Sequence, residues 1–222
     1  LPRESANSTL ALLKGIDFIG KINLTDGVFQ MQNQDQRFDR IYGDIQLKDN
    51  AVIVKSGRAR VNESPFEITG IIKNALPYIS REGEKLSIKA DFKAEVLNFN
   101  DILTQNQSQR DTTYNFSLPG DVAFDLSVNV DKIKFRKFEA TKVSGNAYYK
   151  SGLLTLNPVT FQTSNGDMHA NIHLKQIAEK KFEAQSTASL YNIDLTNFFV
   201  SFENFGQQVI QSRHLKGRAN AT

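Results

Sequence analysis

Cysteine is missing from all 222 residues, which removes disulfides, thiolate nucleophiles and cysteine-ligated zinc or iron–sulfur centres at once. Long apolar runs are missing as well: nothing approaches the roughly 20 consecutive residues of a membrane-crossing helix. The opening "LPRESANSTL" has neither the basic segment nor the apolar core of a signal. Because the chain starts without Met and stops at "GRANAT", it reads as a piece of a longer protein, with any membrane anchor outside it. Charge of one sign is scarce. Lys and Arg number 27 against 24 Asp and Glu, a formal +3, too little to imply a nucleic-acid partner. Only three His occur, and no Gly-rich phosphate loop, nucleophile elbow or zinc-protease signature is spelled. The expectation is a protein that is not an enzyme and carries no cofactor and no metal.

What is present is alternation. Leu86, Ile88, Ala90, Phe92, Ala94 and Val96 occupy every second position, with Ser87, Lys89, Asp91, Lys93 and Glu95 between them. Such a period of two makes a strand with one apolar and one wet face. Val122, Phe124, Leu126, Val128 and Val130 repeat it, as do Met168, Ala170, Ile172 and Leu174, and weaker versions run through most of the chain. The turn signals "TDG" (25–27), "KDN" (48–50), "REGE" (81–84), "KSG" (150–152) and "SNGD" (164–167) suit hairpins, and short connections imply antiparallel neighbours. The fold class expected is mainly β: an antiparallel meander curled into an open groove or partly closed sandwich, with one or two short amphipathic helices.

The pattern also recurs. At an offset of 102, "GDIQLKDNAVIV" (43–54) overlays "GNAYYKSGLLTL" (145–156), with Gly43 on Gly145 and Lys48 on Lys150, and Lys73 falls on Lys175. At an offset of 96, "VLNFNDIL" (96–103) overlays "LYNIDLTNFF" (190–199). Two similar units of about a hundred residues, differing by a small indel, explain both series; the alternative is that any two meanders look alike once alternation is imposed. The division expected is a first β unit at 1–103 with a short helix over 4–14, a polar loop or seam at 104–117, and a second unit at 118–222. The second unit carries a capping helix over about 197–211, with Thr196 or Asn197 as N-cap and Phe198, Phe202, Phe205 and Val209 as its apolar stripe, followed by the start of a further strand.

A sheet with one apolar face must cover it with a second sheet, a helix or a bound apolar molecule. About one good helix is available for a dozen strands. A sheet that rolls onto itself as a sandwich would close the face; one that curls part way leaves a trough able to hold acyl chains. The lipid-facing candidates are Leu86, Ile88, Phe92, Val96, Phe124, Leu126, Val128, Met168, Ile172 and Leu174. In "DKIKFRKF" (131–138), Lys132, Lys134 and Arg136 are the candidates for anionic headgroups, or a solvated strand face. His169 and His173 lie on the polar face about 13 Å apart, too far to share a metal ion.

The stretches "GVFQMQNQDQRFDRIYGDIQLKDNAVIV" (27–54) and "KVSGNAYYKSGLLTLNPVTFQTSNGDMHANIHLK" (142–175), with "NFFVSFENFGQ" and "HLKGRANAT" after them, resemble the AsmA-like family of bacterial envelope proteins. The resemblance implies a repetitive periplasmic β groove tethered to the inner membrane by a helix outside this segment, and a part in phospholipid movement and outer-membrane integrity. The partners expected are phospholipid or another acyl-chain lipid and other envelope proteins. The alternative is a structural or protein-binding β-sandwich of the envelope.

Overall fold

The computed structural model describes residues 19–30, 37–62, 64–79, 85–103, 120–178 and 181–222. The expected helix over 4–14, the loop at 104–117 and the "REGE" turn lie outside the described residues. Eleven strands form one sheet in chain order: β1 (Ile19–Gln30), β2 (Arg37–Lys48), β3 (Ala51–Val61), β4 (Ser64–Lys73), β5 (Leu86–Asn98), β6 (Val122–Phe135), β7 (Phe138–Lys150), β8 (Leu153–Thr163), β9 (Gly166–Ala178), β10 (Lys181–Asp194) and β11 (Arg218–Ala221). The sheet is curled and unclosed, with β1 and β11 at its edges. Among the described residues three short α-helices accompany it: α1 (Ala75–Ile79), α2 (Phe99–Leu103) and α3 (Leu195–Ser201).

Each pairing is antiparallel except one. β5 and β6 run parallel, in register from Leu86 against Val122 to Asn98 against Lys134. A parallel pair needs a crossover of a dozen residues or more, and the chain between Asn98 and Val122 supplies it. Both α2 and α3 follow strands that finish at the same end of the sheet, here called the upper rim. The lower rim carries the 48–51 and 150–153 turns, α1, and the starts of β5 and β6.

Local chemistry explains the hairpins. Ser151 and Gly152 both have positive φ (51° and 83°), as do Ser164 and Asn165 (48° and 58°), the two-residue turns whose twist matches flanking strands. "TDG" differs from expectation: it lies inside β1, where Asp26 at φ 54° accompanies a register shift between Leu24 and Gly27. An Asp in the left-handed region is tolerated at a bulge as readily as in a turn.

Bulges and close-approach glycines bend the strands. β2–β3 slips register between Asp39 and Tyr42 and again between Asp44 and Ile45; β7–β8 slips between Thr141 and Ser144 and between Gly145 and Ala147. The left-handed residues Arg40 and Lys142, Asp49 and Ser151, and Asn62 and Ser164 each stand 102 positions apart. A Cβ on Gly43 would lie 2.8 Å from the Ser56 carbonyl oxygen, and one on Gly145 would lie 2.2 Å from that of Pro158. No side chain fits there, so the neighbouring strand can fold inward over the gap.

Gly145→Ala is therefore expected to destabilise the protein by about 2 kcal/mol or more, whereas Gly120→Ala, with nothing within 4 Å of the added carbon, is expected to be near neutral. Paired denaturant melts check both.

Candidate functional site

Residues directly opposite across a ladder share a face, so the registers define rows running across the sheet. One row reads Ile22, Ile45, Val54, Gly70, Ala90, Leu126, Ala147, Leu156, Ile172 and Ser186, from β1 to β10. A second holds Leu47, Val52, Ile72, Ile88, Phe124, Tyr149, Leu154 and Leu174. A third holds Ile68, Phe92, Val128, Gly145, Val159 and Ala170. These rows make one apolar strip. The longest row crosses nine strand spacings of about 4.8 Å, and three rows about 7 Å apart give a strip of at most roughly 43 by 15 Å, or about 650 Å².

No second sheet packs on this strip among the described residues; strands pack against their neighbours in order. Its middle is nevertheless buried. Ala94, Leu97, Val130, Ala140, Val143, Val159 and Ala170 form the buried cluster, with Phe66, Phe92, Phe138, Phe161 and Ile172 packed against it. Val130 is fully buried and Tyr149 is 1% exposed. Towards β1 the strip is open, with Ile22 at 41% and Phe29 at 53% exposure. An aromatic line follows that end: Phe29 to Phe38 (6.3 Å), Phe38 to Phe66 (6.3 Å) and Phe66 to Phe92 (5.4 Å).

Nine of the ten predicted apolar residues lie on the strip's face. Leu86, Ile88 and Phe92 sit beside Val122, Phe124 and Val128 across the parallel junction, Leu126 and Ile172 share the first row, Leu174 closes the second, and Met168 stands opposite Phe161. Val96 is the correction. It is 36% exposed while Leu97 is buried, because the alternation slips after Ala94 and puts Glu95 and Val96 both outward. β6 slips with it, so Val96 faces Lys132 and Leu97 faces Ile133. Leu97, which the strict period of two had placed outside, belongs to the buried face; Leu97 followed by the cap residue Asn98 is the only local sign of the slip.

The upper rim is roofed by helices. Asn98 and Asp194 cap them, their side-chain oxygens accepting from the Asn100 and Asn197 N–H groups at 3.2 and 2.9 Å. Phe99 packs on the buried cluster. Phe202 lies 5.3 Å from Phe138, 4.8 Å from Phe198 and 5.4 Å from Phe205. The expected helix over 197–211 is thus shorter and capped by Asp194, not Thr196 or Asn197. It ends at Ser201, and Glu203, Asn204 and Phe205 turn to positive φ. Side chains compete for the backbone there: Asn204 Oδ1 accepts from Ser212 N–H, and Gln207 Oε1 accepts from Val209 and Ile210 N–H. Val209 is consequently 84% exposed and takes no part in the cap.

The three predicted headgroup contacts are engaged within the protein. Lys132 Nζ lies 2.8 Å from Glu139, Lys134 Nζ 4.0 Å from the same carboxylate, and Arg136 3.2 Å from Glu203. The Arg136 N–H also donates to Asn100 Oδ1 at 2.7 Å, so this turn joins α2 to the segment after α3. The hydrogen bond from Lys132, with the charges of both lysines, holds the Glu139 carboxyl below its ordinary range. Asp39 is lowered likewise by the hydrogen bonds from Arg60.

The polar face carries the remaining ionisable groups. A hollow of about 1060 Å³ there is lined by Arg58, Glu67, Lys93, Glu95 and Asp131, among others, with Arg58 and Glu67 already paired at 2.9 Å. His173 Nδ1 meets Thr155 Oγ1 at 3.1 Å and the His169 ring meets Tyr191 edge-on; His214 accepts from the Gln211 N–H. Among the described residues no three metal-ligating side chains converge, and no helix is long and apolar enough to cross a membrane. Comparison with protein-family models, curated proteins and solved structures finds no match.

Lys132→Gln is expected to raise the Glu139 pKa towards the ordinary carboxylate value, measured by NMR titration of the side-chain carboxyl. Because the folded pKa is depressed, the stabilisation from this pair is present at neutral pH and is lost as pH falls through the folded pKa; the variant should lose that part of the acid dependence.

Proposed function

We propose that the strip is the floor of a groove for phospholipid acyl chains, and that the protein is a non-catalytic lipid-binding or lipid-conducting segment of the bacterial envelope. The observation that carries the reading is the continuity of three apolar rows across the sheet with no facing sheet among the described residues. Monomers seldom leave a contiguous apolar patch larger than about 300–600 Å², and covering the part that curvature leaves open stabilises by about 25 cal/mol per Å². A hydrocarbon chain supplies that cover without needing hydrogen-bond partners, and apart from the Tyr149 and Ser186 hydroxyls the rows offer none. The matched bulges and left-handed residues 102 positions apart support two copies of one unit, each extending the same floor. The resemblance to the AsmA-like family supports a periplasmic setting, tethering to the inner membrane and a role in outer-membrane integrity.

A second reading, a protein-binding module, draws on the edge. Nothing among the described residues pairs with the outer side of β1, whose Ile19 is 81% exposed, and an unpaired edge accepts an added strand from a partner.

Mild purification followed by lipid extraction and mass spectrometry should recover phospholipid with the protein. Ile88→Gln with Leu126→Gln should lower the recovered lipid several-fold while far-UV circular dichroism stays β; repeated absence of lipid from the unaltered protein would overturn the reading.

A further inference from the structure

We infer that the lower rim, on the face opposite the groove, is a docking surface for an anionic lipid bilayer, through a ladder of lysines interleaved with exposed apolar side chains. The registers place Lys48, Ala51, Lys73, Ser87, Ala123, Lys150, Leu153 and Lys175 in one cross-strand row from β2 to β9. Lysine thus recurs on β2, β4, β7 and β9, with small or apolar residues on the strands between. At about 4.8 Å per strand the ladder extends over roughly 34 Å. All four lysines are exposed, and among the described residues none is in an ion pair. The upper-rim cations Lys132, Lys134 and Arg136, by contrast, are paired with Glu139 and Glu203.

The acidic groups at this rim are fewer. Asp125 is held by Lys89 at 3.4 Å, Asp121 hydrogen-bonds with the Tyr78 hydroxyl, Asp49 sits in the 48–51 turn, and Glu183 stands opposite Lys175.

What favours a bilayer over a nucleic acid is the apolar part. Ile71, Tyr148 and Leu153 are 39%, 43% and 41% exposed, and all three line one hollow of about 670 Å³ together with Lys73, Lys85 and Lys150. Lysines that reach phosphates beside aliphatic and tyrosine side chains that enter the headgroup layer are the composition of an interfacial surface. A phosphodiester backbone would gain nothing from Ile71 or Leu153. The inference stands apart from the groove reading, since it concerns the other face and needs no acyl chain inside the protein.

Flotation of the whole chain with phosphatidylcholine vesicles containing phosphatidylglycerol tests it. Binding should be strong at low salt and weaken at high salt, because the exposed ladder is screened beyond a Debye length of about 8 Å at physiological ionic strength, and it should be absent with pure phosphatidylcholine. Each lysine near an anionic surface is worth about fivefold in affinity. Lys48→Gln, Lys73→Gln, Lys150→Gln and Lys175→Gln together should therefore weaken binding by two orders of magnitude or more. Lys132→Gln with Lys134→Gln should leave it within a few fold, and thermal melts should show both variants folded. Tyr148→Ser with Leu153→Ser should weaken binding several-fold with the charge unchanged. No binding to anionic vesicles, equal binding by the fourfold lysine variant, or displacement of bound vesicles by short single-stranded DNA at equal phosphate would each overturn the inference.

Discussion

Everything in this structure depends on strands pairing so that apolar positions meet apolar positions. A one-residue slip between any two strands would carry a whole set of side chains to the opposite face, and the rows would break at that line. The point of greatest exposure to such an error is the join of β5 and β6, which no short turn fixes. There Ile88, Ala90 and Phe92 meet Phe124, Leu126 and Val128; a single slip would set most of these residues against polar side chains such as Lys89, Asp91, Asp125 and Ser127. Hydrophobic burial at that join, rather than turn geometry, sets the register of one half of the sheet against the other.

Curvature follows from where the ladder is interrupted. Paired slips in β2–β3 and β7–β8, and glycines whose neighbours leave no room for a Cβ, allow the sheet to bend over its own apolar face. A flatter sheet with the same rows would expose them all. Val130 and Tyr149 are almost completely buried with no second sheet over them among the described residues, yet Ile22 and Phe29 stay open near β1. Closure is thus graded along the sheet: tight through β5–β9, loose towards the first strand.

Much of this was readable from residue order, and the failures have identifiable causes. Strict alternation located β5, β6 and β9 and their apolar face because a half-buried strand leaves a period of two that little else imitates. Val96 was misplaced for the same reason the others were found: alternation carries no mark where two neighbouring strands slip together, and Leu97 gave the only sign. The helix after Asp194 was read too long because Phe198, Phe202, Phe205 and Val209 have helical spacing, while the amide side chains of Asn204 and Gln207, which capture the backbone, have no periodic signature. The parallel join escaped because the turns that could be recognised were all short, and the one connection that differs was merely long and polar. The pairing of Lys132 and Lys134 with Glu139 is a cross-strand contact, and a local reading of "DKIKFRKF" sees only the cations.

The single parallel join has a consequence for the sidedness of the molecule. Five strands precede α2 in the chain, and five is odd. Had β6 run back against β5, everything after it would have been turned end for end, so that α3 would project from the opposite edge and Lys150 and Lys175 would sit at the end that carries α2. Running β6 with β5 restores the parity. One border of the sheet keeps its aromatic lids and the other its cations, and the molecule acquires a polarity across its width that a simple up-and-down meander with the same number of strands in each half would have cancelled.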